Sequence, residues 1–240
     1  MSTPSDASPA VVARIGIYLY PDMTQLDALG PHQALGMCPG LEVFTFARTN
    51  DPLVTDTGLT ITPDHGFGDM PPCDVLLVGG TANPYPEMSD PAVLSALARI
   101  GGQARYVTSV CTGSLILAAA GLLDGYRAGT HWAYREVLDS YPGVQQADER
   151  VVVDRNRISG GGVTAGIDFA LSLIAILIDG QTAQLVQLLM EYNPAPPYNA
   201  GHPDVAPAEL VAAGRALCQD TAPELFAPSF NQSSSTVATV

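Results

Sequence analysis

The sequence contains no lysine, and each of its ten basic residues is an arginine. With 24 acidic residues, the formal net charge is −14 at pH 7. A nucleic-acid partner would require clustered basic residues, so we expect none. We attribute the missing lysine to the base composition of the genome, with solubility as its only physical consequence.

Cysteine is also scarce, with four residues and no Cys-x-x-Cys spacing between any of them (Cys38, Cys73, Cys111 and Cys218). A disulfide framework or a zinc site would show closer pairing, so we expect reduced thiols, no metal site and a cytoplasmic protein. Long hydrophobic runs are missing too, because the longest apolar stretch, Phe169 to Ile178, is too short to cross a bilayer. Residues Met1 to Pro9 lack the basic and apolar regions of a signal peptide. We therefore expect no membrane partner.

Apolar residues make up 47% of the 240 positions and charged residues only 14%, which is ample material for one buried core. Short β-branched runs alternate with longer helical patterns. This alternation predicts a single-domain α/β fold with a mostly parallel sheet and helices on both faces. We place the domain at residues 14–225, between an N-terminal extension (1–13) and a C-terminal tail (226–240).

The predicted strands are 14–20, 41–47, 74–78 and 106–110, with hairpins at 54–62 and 151–159. The predicted helices begin near Asp27 to Pro31, with Pro31 in the first turn, and cover 91–100, 112–120, 132–139, 164–178, 182–192 and 208–219. The proline-rich segment Asn193 to Pro207 between the last two helices is predicted to be extended.

Cys111 stands where a β-branched strand ends and a helix begins at once. Its sulfur is therefore expected at the carboxyl edge of the sheet, where open α/β folds bind ligands. The positive end of the following helix predicts a lowered thiol pKa, and Gly113 keeps the turn uncrowded, as around a nucleophile elbow. A buried structural cysteine is the alternative, and it suits the other three thiols better. We predict that Cys111 is a nucleophile and the thiol that alkylates fastest.

The chain resembles the ThiJ/PfpI superfamily, with its flavodoxin-like, class I glutamine-amidotransferase-like fold, and within it the isonitrile hydratase branch (cyclohexyl-isocyanide hydratase). The stretches that carry the resemblance run from the first strand to the proline-rich segment. They are Gln25 to Pro31, Ser109 to Gly113, Ala119 to Gly125, Gly129 to Trp132, Ser159 to Asp168 and Glu191 to Tyr198. The same pieces also occur in the sensor halves of AraC-type regulators.

The resemblance implies a catalytic set of Cys111, Asp27 and Thr112. Many superfamily members have a histidine directly after the cysteine, but here Thr112 takes that place, which makes peptidase chemistry an unfavourable interpretation. Relatives usually read Pro-Gly-Gly after the strand at 74–78, whereas this chain reads Val78-Gly79-Gly80-Thr81. The residues expected to bind and orient the substrate are Gly79, Gly80, Thr81, His131 and Trp132.

Several of these residues also have purely structural interpretations. Asp27 can cap a helix, and the Thr112 hydroxyl can bond a backbone group in a first turn. A histidine before tryptophan at a helix start, as at His131, is more often structural than a base. Asp168 is expected in the first turn of the long apolar helix, where the dipole favours it. Gly160 to Gly162 lacks the companions of a phosphate loop.

The reaction that the resemblance implies is hydro-lyase chemistry: an isonitrile and water give an N-substituted formamide through a Cys111 thioimidate, without a cofactor. Three alternatives stay open: another cysteine-dependent enzyme on a small electrophile (glyoxalase-like or cyclising), a non-catalytic ligand sensor, or a protein whose Cys111 oxidises reversibly. The resemblance also implies a homodimer, and the segment Asn193 to Pro207 is more apolar than a wholly free loop.

Overall fold

The computed structural model describes residues 11–228 and residue 230. Most of the predicted N-terminal extension (1–13) and of the predicted tail (226–240) lies outside the described residues.

A seven-stranded sheet forms the centre of the molecule, in the order β10-β11-β7-β6-β1-β2-β5. Every neighbouring pair is parallel except β10 and β11, which form an antiparallel hairpin. The strands are β1 (Ala13–Tyr18), β2 (Leu41–Ala47), β5 (His65–Gly66), β6 (Val75–Val78), β7 (Tyr106–Val110), β10 (Val151–Asp154) and β11 (Arg157–Gly160). Two small pairs lie outside it: β3 (Leu53–Val54) with β4 (Thr60–Ile61), antiparallel, and β8 (Tyr126–Ala128) with β9 (Val144–Gln146), parallel.

Helices cover both faces of this sheet. They are α1 (Gln25–Gly36), α2 (Tyr85–Ser89), α3 (Pro91–Gln103), α4 (Gly113–Ala119), α5 (Arg135–Asp139), α6 (Ala165–Leu177), α7 (Gly180–Leu189) and α8 (Ala208–Thr221), with a 3-10 turn at Trp132–Tyr134 before α5. α6 packs against both α1 and α7, while α2, α3 and α4 pack together. Among the described residues, no helix combines the length and apolar character needed to span a bilayer.

The central strands are apolar because both of their faces are covered. All four residues of β6 are completely buried, so this strand is a continuous hydrophobic run rather than an alternating one. β6 lies between β1 and β7. The carboxyl ends of these three neighbouring parallel strands therefore meet at one edge of the sheet, which is where the candidate site lies.

The predicted α/β architecture is confirmed, and the two hairpins and the long helices stand where the sequence placed them. Pro31 is the exception, because α1 begins at Gln25 and Pro31 is its seventh residue rather than part of the first turn. Proline has no N–H, so the intrahelical bond from position 31 to the Asp27 carbonyl cannot form. The short elements β5, α2, β8 and β9 were not predicted. Asn193 to Pro207 contains no helix or strand, but it is not extended throughout as predicted, because its second half bends and forms a turn at 203–205.

Candidate active site

Cys111 occupies a sharp turn between β7 and α4. Its φ is 58°, a left-handed conformation that costs a side-chain-bearing residue energy. The turn closes tightly on the end of β6, since a Cβ at Gly113 would lie 2.1 Å from the carbonyl oxygen of Val78. Glycine is therefore required at position 113, and the chain has the geometry of a nucleophile elbow.

The loop from Gly79 to Ala82, hereafter the 79–82 loop, follows β6 and lies against this elbow. A Cβ at Gly80 would come within 2.4 Å of the Thr112 hydroxyl oxygen and 3.0 Å of the Cys111 Cβ. All four carbonyls of the loop accept hydrogen bonds, from the Tyr20 hydroxyl, the Thr24 amide, the Thr112 hydroxyl and the Tyr134 hydroxyl in chain order. The loop is thus held from four sides.

Asp27 lies in the first turn of α1 and is completely buried. Its Oδ2 accepts a hydrogen bond of 2.8 Å from the Gly80 amide. Among the described residues, Oδ1 has no partner at strict hydrogen-bond geometry. Thr24, not Asp27, is the N-cap residue of α1, and its side chain makes no capping hydrogen bond.

The Asp27 carboxyl and the Cys111 thiol interact directly. Burial raises the pKa of Asp27 to about 7, against the opposing effect of hydrogen bonds from the Gly80 amide and from Cys111. Burial and the charge of Asp27 raise the pKa of the Cys111 thiol well above its ordinary value. Near neutral pH, the Cys111 thiol is therefore protonated, and the Asp27 carboxyl is close to the midpoint of its titration.

The lowered thiol pKa predicted from the helix dipole is wrong. Cys111 is only 5% exposed. Loss of hydration disfavours the thiolate, and a carboxylate beside it adds repulsion. The backbone amides of Thr112 and Val163 act in the opposite direction by donating hydrogen bonds to the sulfur, but they do not outweigh burial.

The Thr112 hydroxyl serves the backbone of the 79–82 loop. It accepts from the Thr81 amide at 2.9 Å and donates to the Thr81 carbonyl at 2.6 Å, and it is fully buried. The Thr81 hydroxyl in turn donates to the Asp22 carbonyl at 2.6 Å. Both threonines predicted for the site are present, with their hydroxyls engaged by backbone groups.

His131 lies directly before the 3-10 turn that begins at Trp132. Nδ1 of His131 accepts from the Ala133 amide at 3.3 Å, and burial, assisted by the charge of Arg135, lowers the pKa of His131 to about 4. The imidazole is therefore neutral at pH 7. Trp132 lines a cleft of about 270 Å³ that reaches Thr130, Gly161 and Gly162 and that does not include Cys111 in its walls.

Asp168 stands in the first turn of α6, as the sequence predicts. Its carboxylate pairs with Arg150 at 2.7 Å and accepts from the Tyr192 hydroxyl at 3.0 Å. This contact ties Tyr192, directly before the proline-rich segment, to α6. Among the described residues, no cluster of three or more His, Cys, Asp or Glu side chains could hold a metal ion.

Sequence reasoning missed two tyrosines at the site. Tyr20 follows β1 and donates a 2.8 Å hydrogen bond to the Gly79 carbonyl, while Tyr134 donates to the Ala82 carbonyl. The position of Tyr20 two residues past a central strand was a usable signal, because that is where the carboxyl edge of the sheet lies. The role of Tyr134 depends on a contact between residues 52 positions apart, and no local pattern reveals it.

Comparison with known proteins agrees with this geometry. The profile of the DJ-1/PfpI family matches residues 13–176. An isonitrile hydratase of Pseudomonas putida is 48% identical over 202 residues, which are 84% of this chain and 88% of that protein. The transcriptional regulator GbdR of Pseudomonas aeruginosa is 33% identical over 169 residues, or 67% of this chain but only 45% of the regulator.

Among solved structures, a ThiJ/PfpI family protein from Pseudomonas syringae superposes with a TM-score of 0.81 at 41% identity, covering 92% of this chain and 97% of that one. The match over residues 13–176 and the 48% identity, together with a mostly parallel sheet and a cysteine in a left-handed turn at its edge, show that the chain belongs to the DJ-1/PfpI family.

Proposed function

We propose that the protein is an isonitrile hydratase, a hydro-lyase that converts R–N≡C and water to the formamide R–NH–CHO. The observation that supports this most is the Asp27–Cys111 pair, a buried carboxyl with a pKa of about 7 in contact with a thiol. The identity of 48% with an isonitrile hydratase over most of both chains points to the same reaction.

The terminal carbon of an isonitrile accepts a nucleophile only once it is protonated, so the reaction needs an acid and a nucleophile on the same atom. In the first step, the Asp27 carboxylate takes the thiol proton and delivers it to the isonitrile carbon while the sulfur bonds to that carbon. The product is the thioimidate R–N=CH–S–Cys111, and Asp27 is again a carboxylate. A carboxyl with a pKa near 7 exchanges a proton in both directions at neutral pH.

Water completes the reaction at the same carbon. Asp27 removes a proton from water as its oxygen bonds to the carbon, and passes this proton to nitrogen, giving R–NH–CH(OH)–S–Cys111. Asp27 then takes the hydroxyl proton, the C–S bond breaks, and the proton returns to sulfur with release of R–NH–CHO. The amides of Thr112 and Val163 stabilise the departing thiolate, because they already donate to the sulfur.

The test is turnover of alkyl and cyclohexyl isonitriles, with the formamide detected by mass spectrometry. The wild-type protein is expected to form product with a rate that rises with pH through about 7, as the carboxyl becomes able to accept the thiol proton. Cys111→Ser and Asp27→Asn are both expected to form none while remaining folded. Absence of formamide from a broad isonitrile panel, with Cys111 shown to be reduced, would end this proposal.

A ligand sensor is the second candidate, because 67% of this chain also matches the regulator GbdR. A sensor would bind isonitrile-sized ligands equally in wild type and in both variants and would form formamide in none of them. We further propose that the protein is a homodimer and acts in the cytoplasm. The four cysteines are all free thiols, which suits a reducing compartment.

A further inference from the structure

We propose that Tyr20 is a positioning residue of this active site, whose hydroxyl fixes the Gly79–Gly80 peptide so that its N–H points at Asp27. The inference deepens the proposed function, because it assigns the group that controls the acid and base of the reaction. Tyr20 acts on the Asp27 carboxyl through this peptide, which lies between the tyrosine hydroxyl and the carboxyl.

The geometry consists of one peptide with a hydrogen bond at each end. The Tyr20 hydroxyl donates to the Gly79 carbonyl at 2.8 Å, and the N–H of the same peptide, on Gly80, donates to Asp27 Oδ2 at 2.8 Å. A hydrogen bond to a carbonyl polarises the amide and strengthens its N–H as a donor. The tyrosine therefore affects Asp27 across the peptide.

Only glycine allows this peptide to approach Asp27 so closely. A Cβ at Gly79 would come 3.0 Å from the Cβ of Asp27, and one at Gly80 would meet the Thr112 backbone at 2.5 Å. Without side chains at these positions, nothing on the two residues themselves restrains rotation of the peptide between them. The restraint comes from outside, and Tyr20, itself only 2% exposed, supplies it on the carbonyl side.

Asp27 interacts with titratable groups from several elements. They are Cys111 on the elbow, Asp56 in the loop between β3 and β4, and Tyr20 at the end of β1. The Gly80 amide is the largest of the interactions that favour the ionised carboxyl. Loss of the Tyr20 hydroxyl weakens this donor, so the carboxyl should hold its proton to a higher pH.

The chain offers a matched control in the adjacent tyrosine. Tyr18 is equally buried, but its hydroxyl donates to Glu87 at 2.6 Å and not to the 79–82 loop. Tyr20→Phe and Tyr18→Phe therefore each remove one buried hydroxyl from the end of the same strand. Only the first removal breaks the connection to Asp27.

The experiment is a pH titration of the Asp27 carboxyl by NMR in protein labelled with carboxyl-¹³C aspartate, with the resonance assigned by its loss in Asp27→Asn. Tyr20→Phe is expected to raise the pKa of Asp27 by about half a pH unit, the scale of one modest hydrogen bond. Tyr18→Phe is expected to leave it unchanged. Equal titration of Asp27 in wild type and Tyr20→Phe overturns the proposal.

A second variant should shift the pKa of Asp27 in the opposite direction. Replacing the Tyr20 side chain by 3-fluorotyrosine keeps its shape and makes the hydroxyl a stronger donor, so the pKa of Asp27 should fall. A shift in the same direction as Tyr20→Phe, or no shift, contradicts the proposal even if Tyr20→Phe folds poorly. Because the titration needs no substrate, it stands apart from the isonitrile assay. If hydration is observed, the midpoint of its pH profile should move with the carboxyl, and kcat/KM near pH 7 should fall roughly twofold in Tyr20→Phe.

Discussion

At the scale of single residues, Asp27 shows how the site and the stability of the chain oppose each other. In the folded protein its pKa is about 7, against an ordinary value of 3.8, because burial disfavours the charge. The folded state thus binds a proton that the unfolded chain releases between these two values. The free energy of unfolding should therefore fall as the pH rises from about 4 to about 7.

Asp27→Asn removes the charge and keeps the shape. We expect it to raise the free energy of unfolding by roughly 4 kcal/mol at pH 8 and to change it little at pH 4, where Asp27 is protonated in the folded state. Urea unfolding at the two pH values measures the difference. The control is Asp139→Asn, an exposed carboxylate at the end of α5, with an expected change within about 1 kcal/mol at both pH values. A loss of stability in Asp27→Asn at pH 8 would contradict this account.

Thr112 provides a second prediction at the same scale. Its hydroxyl both accepts from the Thr81 amide and donates to the Thr81 carbonyl, in a fully buried position. Thr112→Val keeps the volume but leaves both backbone groups unpaired, so we expect a loss of about 2–4 kcal/mol in the free energy of unfolding. Thr112→Ser keeps the hydroxyl and should lose about 1 kcal/mol or less, with turnover retained. Equal stability of the two variants would show that the hydroxyl does not hold the loop.

At the scale of elements, the elbow depends on the close contact between the start of α4 and the end of β6. Gly113→Ala places a methyl group 2.1 Å from a backbone oxygen that cannot move without shifting the central strand. We expect the free energy of unfolding to fall by at least about 3 kcal/mol and Cys111 to lose its reactivity. Thermal unfolding measures the first effect and alkylation assays measure the second. Gly102→Ala near the end of α3 is the control, because a Cβ there meets nothing within 4 Å and should stabilise the helix by about 0.5–1 kcal/mol.

The sequence predicted these elements to different degrees, for physical reasons. Long strands and helices have periodic burial, and for this reason β2 and β7 were predicted with the bounds that the structure shows. β5, with two residues, and α2, with five, are too short for any period to develop. Pro31 was placed in a first turn by a preference that the tertiary structure overrides.

The candidate site was predictable in part. The elbow at Cys111 follows from a local strand-to-helix junction, which a sequence displays directly. The proximity of Asp27, 84 positions earlier, depends on the order of β1, β6 and β7 in the sheet and entered through the family resemblance. The pKa of the Cys111 thiol was predicted wrongly for the same reason. The position of a residue at a helix start is a local property, whereas burial and a neighbouring carboxyl are properties of the whole fold.

At the scale of the whole molecule, the helical layer formed by α1, α6 and α7 exposes a set of large apolar side chains. They are Leu26, Leu29, Ile176, Leu185, Leu188 and Leu189, each at least 36% exposed. Exposed apolar patches of this kind are typical of interfaces. The proposed homodimer would use this layer.

We expect light scattering to report twice the chain mass of 25.0 kDa. Leu188→Glu together with Leu189→Glu should shift the population to monomer, because charges would face an apolar partner surface. Leu217→Glu on α8, also exposed, is the control and should leave the dimer intact. Since each chain carries a net charge of −14, association should also strengthen with added salt. A wild-type protein that is monomeric at all concentrations would refute the proposal.

The left-handed turn at Cys111 has a consequence for anyone who engineers this protein for heat resistance. At a φ of 58°, a residue with a Cβ costs the fold about 1–2 kcal/mol relative to glycine. Selection for thermal tolerance alone should therefore favour Cys111→Gly, and the buried charge at Asp27 should favour Asp27→Asn at neutral pH. The two substitutions would give a more stable protein without activity. Any stabilisation campaign on this chain should hold these two positions fixed and select for turnover alongside melting temperature.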